Sequence, residues 1–330
     1  RSYAFQTASA NVHNISYDPI RNYSTIQNGL NDALSAQTLI VDPGTYYEHI
    51  IWPSITNITL SSATENGGSS LNVIIDGTNT GRVILVNSTI NLTLEDLTIQ
   101  RGRTDHGSGI YLNNGSTLNL HSVIISGNIS FIWSAQSTGG GIYALNAYTN
   151  IDHCLFVNNQ AAWQMWSSMA YPLGGAIYNG KNNINDSSFI NNFAHGSGAA
   201  IYGGQNNIVR CTFIGNSSGR EGGAIGDGTN TINNSIFRDN YSGRAGGAIA
   251  GITEYANCIN DITNCTFVGN SAADFQSGAI CNGINTIRNS IFWYNTMGGV
   301  PHQINMGSSS IVYSNIQGSW LGVGNINITP

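Results

Sequence analysis

The sequence predicts an all-β chain wound as a single-stranded, right-handed parallel β-helix (a solenoid) with a short N-terminal capping helix. Two observations predict it first: a pair of short phrases that recur at a period of 24 residues, and strand-like runs of period two between them. A third is the composition. Only 8% of the 330 residues are charged, against a usual share of about 25%, yet 41% are hydrophobic and recur in register, so the chain can bury a core.

The first phrase is a small-residue turn followed by Ile. It reads Gly107-Ser-Gly-Ile110, Gly139-Gly-Gly-Ile142, Gly174-Gly-Ala-Ile177, Gly198-Ala-Ala-Ile201, Gly222-Gly-Ala-Ile225, Gly246-Gly-Ala-Ile249 and Ser277-Gly-Ala-Ile280. The second is Phe-x-x-Asn, from Phe156 to Asn159, Phe189 to Asn192, Phe213 to Asn216, Phe237 to Asn240, Phe267 to Asn270 and Phe292 to Asn295. Ile177, Ile201, Ile225 and Ile249 are 24 apart, and Phe189, Phe213 and Phe237 interleave at 12. The expected coil is therefore two half-units, each one short strand and a turn. Stacked coils superpose like residues about 4.8 Å apart. Ile and Phe then form interior ladders, and Asn159, Asn192, Asn216, Asn240, Asn270 and Asn295 an amide ladder at the turns.

Three segments follow. Residues 1–36 are an N-terminal segment, in which Ile26, Leu30 and Leu34 predict an amphipathic helix over 25–35 with Ser24 as N-cap. Residues 37–315 are the β-helix, and 316–330 an irregular C-terminal tail. The helix is expected to cover the open end of the core, as terminal caps of repeat stacks do.

A net charge of −6 without any Lys/Arg run excludes nucleic acid as a partner. No apolar stretch is long enough for a transmembrane helix. Residue 1 is Arg, so the numbering is expected to start after a removed leader, in a secreted protein of the cell surface or envelope. Asn-x-Ser/Thr sequons, among them Asn22, Asn57, Asn216, Asn240 and Asn264, fit that location.

The paired Gly-Gly-Ala-Ile and Phe-x-x-Asn phrases over about 107–295 resemble the repeat of chlamydial polymorphic outer-membrane proteins and of other secreted β-helix surface proteins. The opening, Tyr23 to Gln27 and Val41 to Tyr46, looks like the start of pectin-lyase-like β-helices. The resemblance implies a surface location and a structural or adhesive role, and brings no catalytic residues.

Chemistry-bearing clusters are sparse. The 17 acidic residues are scattered, without an Asp-Asp pair, and no spacing resembles a metal site. We therefore expect no enzyme, no cofactor and no metal. Arg220 and Arg244 stack near Glu221, either as an anionic-sugar site or as a solvated turn where one acid offsets two bases. Cys154, Cys211 and Cys265 stand two before Phe and face inward. Cys258 lies in an insertion and Cys281 in a slot held elsewhere by Tyr111, Tyr143, Tyr178 and Tyr202, expected to face outward; a Cys258–Cys281 bridge or an intermolecular disulfide follows. Two insertions are rich in aromatics: Phe131 and Trp133, then Trp163, Met165, Trp166, Met169 and Tyr171. They are expected to form a subunit interface or a sugar-stacking platform. The function expected first is a self-assembling sheath, surface-layer or filament subunit whose partner is itself. The alternatives are an adhesin binding surface glycans and a polysaccharide lyase or hydrolase.

Overall fold

The computed structural model describes residues 12–17, 19–64, 67–132, 137–163, 171–251, 258–273, 277–305 and 309–330. The chain winds as a parallel β-helix whose four walls, here A to D in chain order, hold 13, 11, 9 and 10 strands among the described residues. One coil passes through Gln205–Val209 in wall A, Thr212–Ile214 in wall B, Ser217–Ser218 in wall C and Ile225–Gly226 in wall D. Each wall pairs in parallel with the coil above and below, in the register the period demands: Gln205 lies opposite Thr229, and Phe213 opposite Phe237.

The half-unit thus holds two short strands rather than the single one expected. The added corners come from single residues in the left-handed region. Between walls A and B these are Asp96, Ser122, His153, Asp186, Arg210, Asn234, Asn264, Asn289 and Tyr313, all with φ between 47° and 55°. One such residue reverses the pleat and turns the chain without a loop. Asn and Asp tolerate the conformation through local side-chain hydrogen bonds. Gly222 serves the turn before wall D, with φ +66°; a Cβ there would meet the Ile225 carbonyl oxygen at 2.1 Å.

The interior is built of columns. Phe156, Phe189, Phe213, Phe237, Phe267 and Phe292 stack with ring centroids 4.6–4.9 Å apart and planes within 6°. The Ile177, Ile201, Ile225 and Ile249 column lines wall D, and all of these side chains are buried. The expected Asn ladder sits at the corner between walls B and C, where an interior amide such as that of Asn216 makes four hydrogen bonds. Asn216 Oδ1 accepts from Asn192 N (3.1 Å) and Asn192 Nδ2 (3.0 Å), and Asn216 Nδ2 donates to Phe189 O (2.9 Å) and Asn240 Oδ1 (3.0 Å). Gln303 ends the ladder by accepting from Asn295 Nδ2. The amides of the sequon residues Asn216 and Asn240 are both buried and engaged in this ladder.

A second buried ladder runs along the inside of wall A through Asn182, Asn206, Asn230, Asn260 and Asn285, with Nδ2 to Oδ1 distances of 2.7–2.8 Å. Sequence reasoning missed it, although Asn stands two before the wall A Ile in each of these five coils. In a third column, Ser187, Ser235 and Ser290 accept from the backbone N–H of Cys154, Cys211 and Cys265. These cysteines face inward as expected, and burial pushes their thiols up, to about 11 for Cys211 and Cys265.

Both ends are covered. The helix spans Ile26–Asp32 rather than 25–35, and Thr25, not Ser24, is its N-cap, accepting from Asn28 N at 3.1 Å. Glu48 accepts from the next two orphan N–H groups, of Ile26 and Gln27. Ala33 turns extended, so Leu34 leaves the apolar face and is exposed. Val12–Asn14 pairs antiparallel with Thr38–Val41, and Arg21–Tyr23 pairs antiparallel with Val12–Asn14 on its other side. At the other end, Val300–Pro301 turns back antiparallel on Thr296–Met297. The tail folds over the last coil: Tyr313 N donates to Val323 O, Ile316 N to Ile326 O, and Trp320 packs on the core. Among the described residues no helix is long and apolar enough to cross a membrane, which says nothing of strands.

Candidate functional site

In the wall A strands Lys181–Asn185, Gln205–Val209 and Thr229–Asn233 the second and fourth side chains point inward and the first, third and fifth outward. Stacking turns the outward positions into three surface columns. The first runs Thr117, Tyr148, Lys181, Gln205, Thr229; the second Asn119, Asn150, Asn183, Asn207, Thr231; the third Glu95, His121, Asp152, Asn185, Val209.

These columns line a continuous groove. A trough of 470 Å³ holds Tyr148, Asn150, Lys181, Asn183, Gln205 and Asn207. It shares Asn150, Asn183 and Asn207 with a second of 580 Å³ that reaches Glu95, His121 and Asp152. It shares Lys181, Gln205 and Thr229 with a third, of 400 Å³, bounded by Asn179, Tyr202 and Asp227. Neighbouring amides are aligned by their own bonds: Asn150 Nδ2 donates to Asn119 Oδ1 at 2.8 Å, and Asn183 Nδ2 to Asn150 Oδ1 at 3.1 Å. Lys181 Nζ lies 5.0 Å from the Tyr148 ring centroid and donates to its hydroxyl at 3.3 Å. Burial pushes the Asp227 carboxyl above the usual range, against the pull of the Gly228 N–H.

At the A–B corner, His121 Nδ1 and His153 Nδ1 each lie 2.9 Å from Asp152 Oδ2. The hydrogen bond to Asp152 raises the His153 pKa. Sequence reasoning missed this cluster because His121 and Asp152 are 31 residues apart, although the coil period places them side by side.

The expected sites fare differently. Phe131 and Tyr171 are each capped by an arginine: the Arg103 guanidinium carbon is 4.9 Å from the Phe131 ring and that of Arg220 is 4.0 Å from Tyr171. Trp163 ends a wall C strand, Gln160–Trp163. Trp133, Met165, Trp166 and Met169 lie outside the described residues. Arg244 Nη1 and Arg220 Nε lie 3.1 and 3.5 Å from the buried Glu221 carboxylate, which also accepts from Ser197, so the acid offsets two bases.

Cys258 and Cys281 are both fully buried. Cys258 is a free buried thiol. The column of Tyr111, Tyr143, Tyr178 and Tyr202 continues as Gly226, Ala250 and Cys281, and the smaller side chains let Ala245 and Ala250 close around Cys281, which is buried rather than outward. Burial pushes both thiols up to about 12.

The repeat of the Chlamydia polymorphic membrane protein family matches residues 186–204 and 210–226, within the most regular coils. No curated protein sequence matches the chain. Among solved structures, a mannuronic acid specific polysaccharide family 6 lyase from human gut microbiota is similar at 11% identity, with a TM-score of 0.46 over 91% of this chain and 80% of the lyase. A pectin methylesterase in complex with a hexasaccharide is similar at 10% identity and a TM-score of 0.42, over 93% of this chain and 89% of that one. The pectin methylesterase PemA from Erwinia chrysanthemi is 12% identical, with a TM-score of 0.32 and the same coverage. At such identities the likeness is one of fold. The expectation that the chain is not an enzyme is overturned as a conclusion: the similar structures are a polysaccharide lyase and pectin methylesterases.

Proposed function

We propose that this protein is a polysaccharide-binding β-helix of the cell surface, in which a linear glycan lies along the outer face of wall A. The observation that carries the proposal is the continuous groove of aligned amides and hydroxyls. Amides donate and accept at fixed positions and suit the hydroxyls of sugars. They recur at each coil, about 4.8 Å apart, which suits a polymer of repeating units. Tyr148 offers a flat apolar ring, and Lys181 a cation for an anionic sugar. The polymorphic-membrane-protein repeats support a surface location.

Binding to a panel of neutral and uronic-acid polysaccharides tests the proposal. At least one should bind saturably, and Asn183→Ala combined with Lys181→Ala should weaken it by about tenfold or more, two lost hydrogen bonds being worth at least about 1.4 kcal/mol. Both side chains are exposed, so the melting temperature should hold. Absence of binding across the panel, or equal binding by the variant, would overturn it.

A further inference from the structure

His121, Asp152 and His153 form a cluster that neither the repeat nor the groove requires. Their ligand atoms, one from each side chain, all lie within 4.8 Å of one another. His121 and Asp152 are register partners on adjacent wall A strands, so the coil spacing brings them together. Asp152 and His153 are consecutive, and consecutive strand residues ordinarily face opposite sides. His153 escapes that rule because it is the left-handed corner residue of its coil, with φ 52°. The corner returns its ring to the side of Asp152, and the two imidazoles sit with centroids 5.8 Å apart and planes at 59°.

We propose that this cluster is a surface site for one first-row transition-metal dication of the zinc class, with His121 Nδ1, His153 Nδ1 and one Asp152 carboxylate oxygen as ligands. The donor set decides the class. Two imidazoles and one carboxylate suit Zn²⁺, Co²⁺, Ni²⁺ or Cu²⁺, whereas Ca²⁺ and Mg²⁺ take oxygen ligands. The present hydrogen bonds of 2.9 Å already converge on Asp152 Oδ2. A cation about 2.1 Å from each donor replaces those two bonds with coordination after small rotamer shifts. Three protein ligands leave a fourth position open, as in zinc sites that bind water or substrate. Glu95, the register partner of His121, and Asn185, that of Asp152, line the same trough. Asp186 follows in the corner column and is held by Arg210 at 2.6 Å, so that carboxylate is already committed. This site stands independently of the glycan proposal.

Calorimetric titration of untagged protein with ZnCl₂ and with CaCl₂, together with Co²⁺ absorption spectra, tests it. We expect one Zn²⁺ per chain, a tetrahedral Co²⁺ spectrum displaced by Zn²⁺, and no comparable Ca²⁺ affinity. His121→Gln and His153→Asn should each weaken Zn²⁺ by at least about tenfold. Asn is native to the same corner in other coils, so His153→Asn keeps the backbone, and metal-free melting of each variant confirms its fold. Saturable Zn²⁺ binding lost in both variants supports the site. Unsaturable binding, unchanged affinity in a folded variant, or equal Ca²⁺ affinity overturns it.

Discussion

Asp76 is a fully buried carboxylate in a chain with few charges, and its partners are all local to two coils. It accepts from Thr78 N at 2.8 Å, Gln100 Nε2 at 2.7 Å and Arg101 Nε at 2.7 Å. Burial alone would push its pKa up, but the Arg101, Gln100 and Thr78 bonds outweigh it and hold the carboxyl below its ordinary value. A folded-state pKa below the unfolded one contributes stability above the unfolded value, about 3.9, and loses it as pH falls through the folded value. We therefore expect Asp76→Asn to lower the melting temperature at neutral pH, yet to show a shallower loss from about pH 5 to about pH 2 than the wild type. Parallel acid limbs in the two thermal series would contradict this. Burial also protects the thiols: Cys154, Cys211, Cys258 and Cys265 are all buried with raised pKa values.

At the scale of a single column, the Asn ladder at the B–C corner should be harder to interrupt than its size suggests. Asn216→Ala takes the side-chain partner from the Asn192 backbone N–H on one side and from the Phe189 carbonyl on the other, while Asn192 Nδ2 keeps Phe156 O and Asn240 Oδ1 keeps the Asn216 N–H. Each buried group left without a partner costs about 1–3 kcal/mol. Chemical denaturation should show Asn216→Ala destabilised by at least about 3 kcal/mol, more than the exposed Asn207→Ala, which should lie within about 0.5 kcal/mol of wild type. Equal midpoints would remove the ladder from the account of stability. Much of this column was legible in the sequence, because Phe-x-x-Asn marks both the ring and the amide. The Asn182 to Asn285 ladder was hidden by its neighbours. Asn182-Asn183 and Asn206-Asn207 put an inward and an outward amide side by side, and composition does not separate them. The number of strands per coil was likewise obscured, because a corner made by Arg210 or His153 carries no Gly or Asn signal. Cys281 was misplaced for a related reason: the Tyr column gives way to Gly226 and Ala250 before reaching it, and the surface closes over.

For the whole molecule, the consequence of a strict period is that coils are interchangeable units. Lys181, Gln205 and Thr229 occupy one column, so deleting residues 205–228 brings Thr229 against Lys181, Phe237 against Phe189 and Asn240 against Asn192. The shortened chain should fold with a cooperative melt and a stack shorter by about 4.8 Å, readable by small-angle scattering. Deleting residues 205–216 instead should abolish folding, since wall C sequence then meets wall A. A folded half-coil deletion would show that the walls accept either register. The metal cluster and the groove escaped single-residue reasoning on this same scale, because their members are neighbours only once the winding is known.

The same winding has a mechanical side. The bonds joining coils run along the stack, while each coil keeps few bonds within itself. Tension applied at the termini therefore loads the end coils first, and each can peel away while the remainder stays wound. A released coil of 24 residues frees about 80 Å of chain in exchange for about 4.8 Å of stack. Tethered at a surface and pulled by a bound polymer, such a molecule would yield like thread from a spool, one turn at a time, and lengthen many-fold before letting go.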